Sequence, residues 1–337
     1  MAYEAKMLLE PSSAIKCITF HELADEYLDF KKTDVQYTSY LKYEQAVKLM
    51  IKPNFPDKPI NEITYSDCDI FREKVEGNWH ATSYNNRLLT QFKGIFNFAI
   101  RRNYISSNPA ALLKSYKKTA EELKLSKTRE SNIWDYDEFS RFIDCVDDET
   151  YRGLFITLFN TGMRLGECQA LIWTDFHNSS LSITKSCTKK TKKGSYEIKI
   201  PKNNSSVREI PINKSLNDYL LELKKSSQKT NPNFSENDFI FGGKKPLPQT
   251  TVERKKNVAV AKSGVKKIRI HDFRHSHATI LINNGMNIVS VSKRLGHSDI
   301  NMTLKTYTHL LEKRDEKMMA FLEESSHNSS QFRAPKK

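Results

Sequence analysis

Two short segments of the 337-residue chain concentrate chemically versatile side chains: His271 to His277, reading HDFRHSH, and Leu295 to Tyr307, reading LGHSDINMTLKTY. Upstream stand Arg164, within TGMRLGE, and Lys202, in the turn that opens PKNNSSVREIP. On a helix, His271 and Arg274 lie at i and i+3, which brings an imidazole and a guanidinium onto one face. A phosphodiester suits such a site. Its transition state gathers negative charge on two non-bridging oxygens, and arginines, planar forks of donors that stay charged, hold that charge best. The competing reading is a helical zinc pair, His271 with His275 at i and i+4, which would make the protein a metal-dependent hydrolase. That motif needs a Glu directly after its first His, whereas Asp272 stands here and Arg274 sets a cation beside the metal. No metal site is therefore expected. His275, His277 and His309 carry a weaker signal, and His275 and His277 read as helix-supporting residues rather than as chemistry.

Composition narrows the partner. Lys and Arg number 54 against 40 Asp and Glu, a net charge of +14, which favours a polyanion: nucleic acid or an acidic membrane surface. A third class, a protein that binds DNA without cutting it, would use the same charge but leaves Tyr307 and the arginines without a purpose. Apolar runs are too short for a membrane span, which needs roughly 20 residues. Met1 to Ile15 carries Glu4 and Glu10 and lacks a basic leader, so the expected place is the cytosol. The cysteines Cys17, Cys68, Cys145, Cys168 and Cys187 are scattered without a CxxC pair and read as reduced thiols.

The elements that must position these residues form two domains, mostly α with a small antiparallel β-sheet, an α+β chain. Residues 16–114 read as helical. Phe20–Phe30, Tyr37–Ile51 and a helix from Thr64-Tyr65-Ser66-Asp67 to about Val75 precede the clearest stripe: Leu88, Leu89, Phe92, Ile95, Phe96, Ala99 and Ile100. The polar stretch 115–132 reads as a linker. In 133–324, helices are expected over Asp135–Val146, Thr150–Asn160 and Arg164–Trp173, then strands over Leu181–Cys187, Tyr196–Ile200 and Val207–Ile212. Helical periodicity returns from Ile270, and 325–337 is a polar tail.

TGMRLGE, HDFRHSHAT, LGHSDINMTLKTYTHL and the hairpin Lys before VREIPI together resemble the tyrosine recombinase family, in particular phage and conjugative-transposon integrases. The resemblance covers nearly the whole chain; YTSYLKYEQAVKLMIKPNF and YISSNPA are similar to the family's helical core-binding domain, more loosely than the catalytic motifs. It implies a site-specific DNA recombinase that integrates and excises a mobile element or prophage through a 3′-phosphotyrosine intermediate. By the same resemblance Arg164 and Arg274 clamp the phosphate and Lys202 is the general acid. His271 and His297 handle protons or bond the phosphate, Tyr307 is the nucleophile, and Glu167 supports the first arginine. No cofactor is implied, neither ATP nor a divalent ion, because the phosphotyrosine conserves the bond energy. Type IB topoisomerases share this chemistry and are the alternative reading.

The implied partner is double-stranded DNA at attachment core sites, bound by a homotetramer across paired sites, with excision or host DNA-bending factors beside it. The basic run Thr188 to Lys193 places Lys189, Lys190, Lys192 and Lys193 at a hairpin tip suited to phosphates. Further candidate DNA contacts are Thr38, Lys42, Asn85, Arg87 and Lys93 in the helical domain and Arg254, Lys255 and Lys256 in the second. An amphipathic segment, 310–324, is expected to dock on a neighbouring protomer. Residues 1–15 resemble the tail of the family's arm-binding domain, which implies a shortened form able to bind core sites but impaired in regulated integration.

Overall fold

The computed structural model describes residues 18–77, 81–124, 132–188, 196–200 and 207–312, with Met319, Leu322 and Glu323. The expectations for residues 1–15, for the TKKTKK lysines 189–193 and for the tail 325–337 lie outside the described residues, as does most of segment 313–324. The chain divides into two compact units, one ending before and one beginning after residue 127.

The first unit is built on four helices: α1 (Phe20–Asp34), α2 (Tyr37–Ala46), α3 (Tyr65–Glu76) and α4 (Thr82–Arg101). Their starts are written in the sequence. Thr19 accepts from the Glu22 N–H while Glu22 accepts from Thr19, and Thr64 with Asp67 repeats this reciprocal cap. The α4 stripe is buried as its spacing predicts, and Phe92 sits in a cluster with Phe20, Phe55, Phe71 and Phe96, its ring 4.3 Å from that of Phe71. Helix α2 ends at Ala46 and passes into a π-helical turn, Val47–Ile51, before Pro53 stops it. Residues 115–124, within the stretch read as linker, pack onto this unit. Tyr116 is buried, exchanges backbone hydrogen bonds with the Asn86 amide and donates its hydroxyl to the Arg72 carbonyl. Glu122 accepts the Thr82 N–H at 2.8 Å, capping α4, whose own cap position, Ala81, has no side-chain acceptor.

The second unit opens at Trp134, whose N–H donates to Ser276 Oγ and whose indole donates to the Lys266 carbonyl. Helices α5 (Tyr136–Asp144) and α6 (Glu149–Thr161) follow, then a short α7 (Leu165–Ala170). The helix expected over Arg164–Trp173 thus stops early: Leu171 is extended, and Trp173–Asp175 forms a separate 3-10 turn. The strands are β1 (Phe176–His177), β2 (Ser180–Ile183), β3 (Ser186–Thr188), β4 (Glu197–Lys199) and β5 (Arg208–Pro211). The expected strand Leu181–Cys187 is in fact two. β2 pairs with β1 and β5 in one antiparallel sheet, Leu181 opposite Ile210, whereas β3 pairs with β4 in another, Ser186 opposite Lys199. Lys185, between them, turns to Asp175 at 2.8 Å and marks the break.

Between the sheets and the histidine segment lie two helices that the sequence reading left unassigned, α8 (Lys214–Thr230) and α9 (Gln249–Ser263). Then come α10 (Ile270–Asn283), α11 (Ile288–Leu295) and α12 (Ile300–Glu312). α10 packs on α6, α11 and α12, and its Phe273 sits among Trp134, Phe139, Phe142 and Phe155. His277 is part of this scaffold: one ring nitrogen bonds the Phe159 carbonyl at 2.9 Å, and the other accepts from Arg294 at 3.1 Å, which fixes its neutral tautomer.

Burial, helped by the Arg294 charge, pushes the His277 imidazole down to about 3. Its unfolded pKa is near 6.5, so below that pH the unfolded chain binds a proton that the folded chain refuses. Stability of the second unit is therefore complete above about pH 6.5 and declines as pH falls, His277 alone contributing about 1.4 kcal/mol per pH unit. Denaturant unfolding measured between pH 7 and 4.5 should show this decline; a flat profile would contradict the buried neutral assignment.

Candidate active site

Helix α6 ends at Gly162, whose φ of 65° is left-handed, and two residues later Arg164 leads into α7. Glu167, in the first turn of α7, accepts the Arg164 N–H on Oε2 at 2.9 Å and its guanidinium on Oε1 at 2.9 Å. The same carboxylate takes a third bond, from Arg208 of β5, at 2.9 Å. Burial by itself would raise the Glu167 pKa; the Arg208 hydrogen bond and charge, reinforced by Arg164, outweigh it and hold the carboxyl below its ordinary value. Arg208 also donates to the Arg294 carbonyl at 2.7 Å, tying β5 to the end of α11.

Arg274 enters from α10. One terminal nitrogen donates to the Gly162 carbonyl at 2.9 Å, and the other is buried with no hydrogen-bond partner among the described residues. Burial, then the Arg164 charge, lowers its pKa. A guanidinium does not give up its proton at neutral pH, so the unfilled donor remains a cation awaiting an acceptor.

The imidazoles surround this cluster. His297 follows Gly296, the left-handed residue that ends α11, and its Nδ1 is 2.6 Å from the buried Thr303 hydroxyl of α12. Burial and then the charges of Arg274, Arg164 and Arg208 push His297 down to about 4, so it is neutral at physiological pH. His271 is exposed, edge-on to His275 with ring centroids 5.1 Å apart. Burial and the neighbouring His275 and Arg274 depress its pKa, an effect that solvent contact softens. Tyr307, one helical turn beyond Thr303 on α12, is 4% exposed, and its hydroxyl lies 2.9 Å from His275 Nδ1. Burial raises the phenol's pKa, Arg274 opposing it.

The structure thus brings Arg164, Glu167, His271, Arg274, His297 and Tyr307 into one electrostatic neighbourhood. Lys202 lies outside the described residues. His271 and His275 find no third His, Cys, Asp or Glu with which to enclose a metal, among the described residues. Two residues escaped the sequence reading. His275 was assigned to helix support yet holds Tyr307, and its spacing from His271 and Arg274 was the available signal. Arg208 shares the inward side of β5 with Ile210, and a cation at an inward strand position calls for a buried partner.

Several candidate DNA contacts are otherwise occupied. Asn85 is buried in the first unit. Lys93 donates to the Ala111 and Leu113 carbonyls, at 3.0 and 2.7 Å, and anchors the chain after α4. Lys256 is buried, bonding the Ile268 carbonyl and pairing with Glu253 at 3.3 Å. Its neighbours differ: Arg254 is exposed, and Lys255 is half-buried over the Tyr151 ring, 3.8 Å from Asp148. In the first unit Lys42 is exposed, Thr38 is partly buried, and Arg87 is exposed with its guanidinium 5.0 Å from the Tyr84 ring centre.

Comparison with known proteins shows likeness along most of the chain. The model of the phage integrase family matches residues 134–314, and that of the phage integrase N-terminal SAM-like domain matches residues 19–75. The ICEBs1 integrase of Bacillus subtilis (strain 168) is 28% identical over 313 residues, covering 90% of this chain and 82% of that protein. An integrase of Staphylococcus phage L54a is 24% identical, covering 94% and 96%. Among solved structures, the Tn1549 transposon integrase in complex with circular intermediate DNA shares the fold with a TM-score of 0.69 at 20% identity, over 86% of this chain and 95% of that one. A lambda integrase dimer on a core site follows, at a TM-score of 0.61 and 18% identity, over 85% and 97%. With more than half its length matched by the family model, and with Arg164 and Arg208 bonded to one buried carboxylate, the chain belongs to the phage integrase family, the tyrosine recombinases that cleave and rejoin DNA.

Proposed function

We propose that Tyr307 attacks a DNA phosphodiester, that Arg164 and Arg274 hold its non-bridging oxygens, and that Lys202 protonates the departing 5′ oxygen. His271 and His297 complete the phosphate's hydrogen bonding. The observation that carries this reading is the buried Arg274 nitrogen with no partner among the described residues, set among the charges of Arg164 and Arg208. A buried donor without an acceptor is costly, and a group that brings two anionic oxygens relieves both that cost and the like-charge crowding. The 3′-phosphotyrosine so formed retains the energy of the broken bond, so the return attack of a 5′ hydroxyl needs neither ATP nor a divalent ion. The guanidinium groups provide the positive charge that a metal supplies elsewhere.

Site-specific recombination, rather than relaxation of the type IB topoisomerase kind, is what the family match favours. A lambda integrase tetramer is known on a Holliday junction. In our reading this chain likewise acts as four protomers on paired core sites in the bacterial cytosol, joined through segment 310–324, with accessory excision or host DNA-bending factors setting direction. Lys42, Arg87 and Arg254, exposed in their units, remain candidates for backbone phosphates.

Incubation in EDTA with a nicked suicide duplex carrying the core site should yield a protease-sensitive covalent adduct on a denaturing gel. Tyr307→Phe should abolish it while leaving DNA binding intact; an adduct that survives this change would overturn the nucleophile assignment. Glu167→Ala leaves Arg164 and Arg208 without their shared counter-charge, and breaking a buried pair in this way costs about 3–5 kcal/mol. Chemical denaturation of that variant should show the loss, and a stability within 1 kcal/mol of wild type, roughly the worth of a surface pair, would refute the carboxylate's central place.

A further inference from the structure

We infer that His275, and not the exposed His271, is the group that receives the Tyr307 proton during DNA cleavage. The inference rests on the nucleophile reading above and adds a residue to it. Three observations support the assignment. The Tyr307 hydroxyl is 2.9 Å from His275 Nδ1, within ordinary hydrogen-bond reach for proton transfer. The neighbouring imidazoles make other bonds: the partly buried His297 uses Nδ1 for Thr303, and both nitrogens of the buried His277 are taken by Phe159 and Arg294. And α12 presents Thr303 and Tyr307, at i and i+4, to His297 and His275 respectively, so the helical turn that ends at the phenol is tied to both imidazoles.

The groups facing His275 define its protonation. From its own helix and cap come the carboxylate of Asp272, the cations Arg269 and Arg274, and the His271 ring; from α12 comes Tyr307, and from the turn before it His297. Burial, then Arg269 and Arg274 against Asp272, holds the imidazole below its ordinary pKa, so it is neutral at pH 7. A neutral imidazole beside a protonated phenol accepts the O–H on Nδ1. As Oη attacks, the Oη–P bond forms and the P–O5′ bond breaks. The phenolic proton passes to Nδ1, and O5′ takes its proton from the acid assigned to Lys202. In resealing, the attacking 5′ hydroxyl gives its proton back to the amine assigned to Lys202 as the O5′–P bond forms, and the imidazolium returns its proton to the departing phenolate, so the enzyme ends as it began.

The test compares wild type with His275→Ala and His275→Asn, using single-turnover cleavage of two suicide duplexes. One carries an ordinary scissile phosphate and the other a 5′-bridging sulfur, whose departure needs no proton. His275→Asn keeps a hydrogen-bonding oxygen near Nδ1 but cannot take a proton, so it separates positioning from proton transfer should the Ala variant fold poorly. Both variants should cleave about 10²-fold more slowly or worse at pH 7, the usual worth of a general base, equally on both duplexes. Their rates should climb with pH up to 9, as hydroxide replaces the missing acceptor, where wild type is level. The proposal is overturned if His275→Asn stays within about threefold of wild type, if the sulfur duplex restores either variant, or if the pH profile keeps the wild-type shape. Absence of any Tyr307-dependent adduct with wild type would instead bring down the nucleophile reading, and this proposal with it.

Discussion

One buried carboxylate holds together a site otherwise made of positive charge. Glu167 is bonded by Arg164 and Arg208, while Arg274 adds a further guanidinium that makes no ion pair with a carboxylate among the described residues. Two charges are paired with one, and the third bonds the Gly162 carbonyl and feels the Glu167 charge through space. Attraction and repulsion are both strong where water is scarce, so this imbalance governs its neighbours. Burial is the larger cause that keeps His297 neutral and lowers the pKa of Arg274, and the imbalance adds to both and makes an anion with two oxygens the natural occupant. Catalysis by fixed dipoles and charges needs them in place before substrate arrives, because reorganisation during reaction would forfeit their benefit. Glu167 is what permits the guanidinium groups to wait together.

Their placement depends on two helix ends. Gly162 closes α6 at a φ of 65° and Gly296 closes α11 at 71°, and each is followed within two residues by a side chain of the site, Arg164 or His297. Neither glycine has room for a side chain. A Cβ on Gly162 would lie 2.6 Å from the His277 ring and one on Gly296 2.8 Å from the Arg208 guanidinium. The left-handed turn and the close approach both demand glycine. The scaffold residues His277 and Arg208 therefore do double service: each makes the hydrogen bonds described above and also forms the wall against which a chain reversal is pressed. Moving either turn would displace an arginine or a histidine from the phosphate position.

Much of this was legible in the sequence, and the remainder was hidden for physical reasons. The α4 stripe and the capping pairs at Thr19 and Thr64 are local patterns, fixed by residues three or four apart, and they read directly. The expected site residues come from motifs, such as TGMRLGE and HDFRHSH, that resemble those of the tyrosine recombinases. The break between β2 and β3 did not, because it is set by the Lys185–Asp175 pair and by which partner strand each half finds, both non-local. Lys93 and Lys256 looked like phosphate contacts because a lysine's type says nothing of where its long stem ends. Here both ammonium groups reach carbonyls of their own unit. His275 was read as helix support for a similar reason: its partner is 32 residues away, and only the docking of α12 brings the phenol to it.

That docking bears on how the nucleophile is kept in check. Tyr307 is buried with Ala278, Ile282, Val291 and Leu295, in surroundings that favour the neutral phenol, and the one nearby charge that opposes this is Arg274. A phenolate formed before DNA binds would face burial without adequate compensation, so the resting state is the protonated one. Bound phosphate would take up the Arg274 charge and leave still less to stabilise a phenolate in advance. In the proposed reaction, deprotonation and attack then proceed together, the phenol oxygen's electron pair forming the bond to phosphorus as the proton leaves. A base held within hydrogen-bond reach of the phenol is what such a concerted step requires, and the helix that carries the nucleophile is the element whose docking sets that distance.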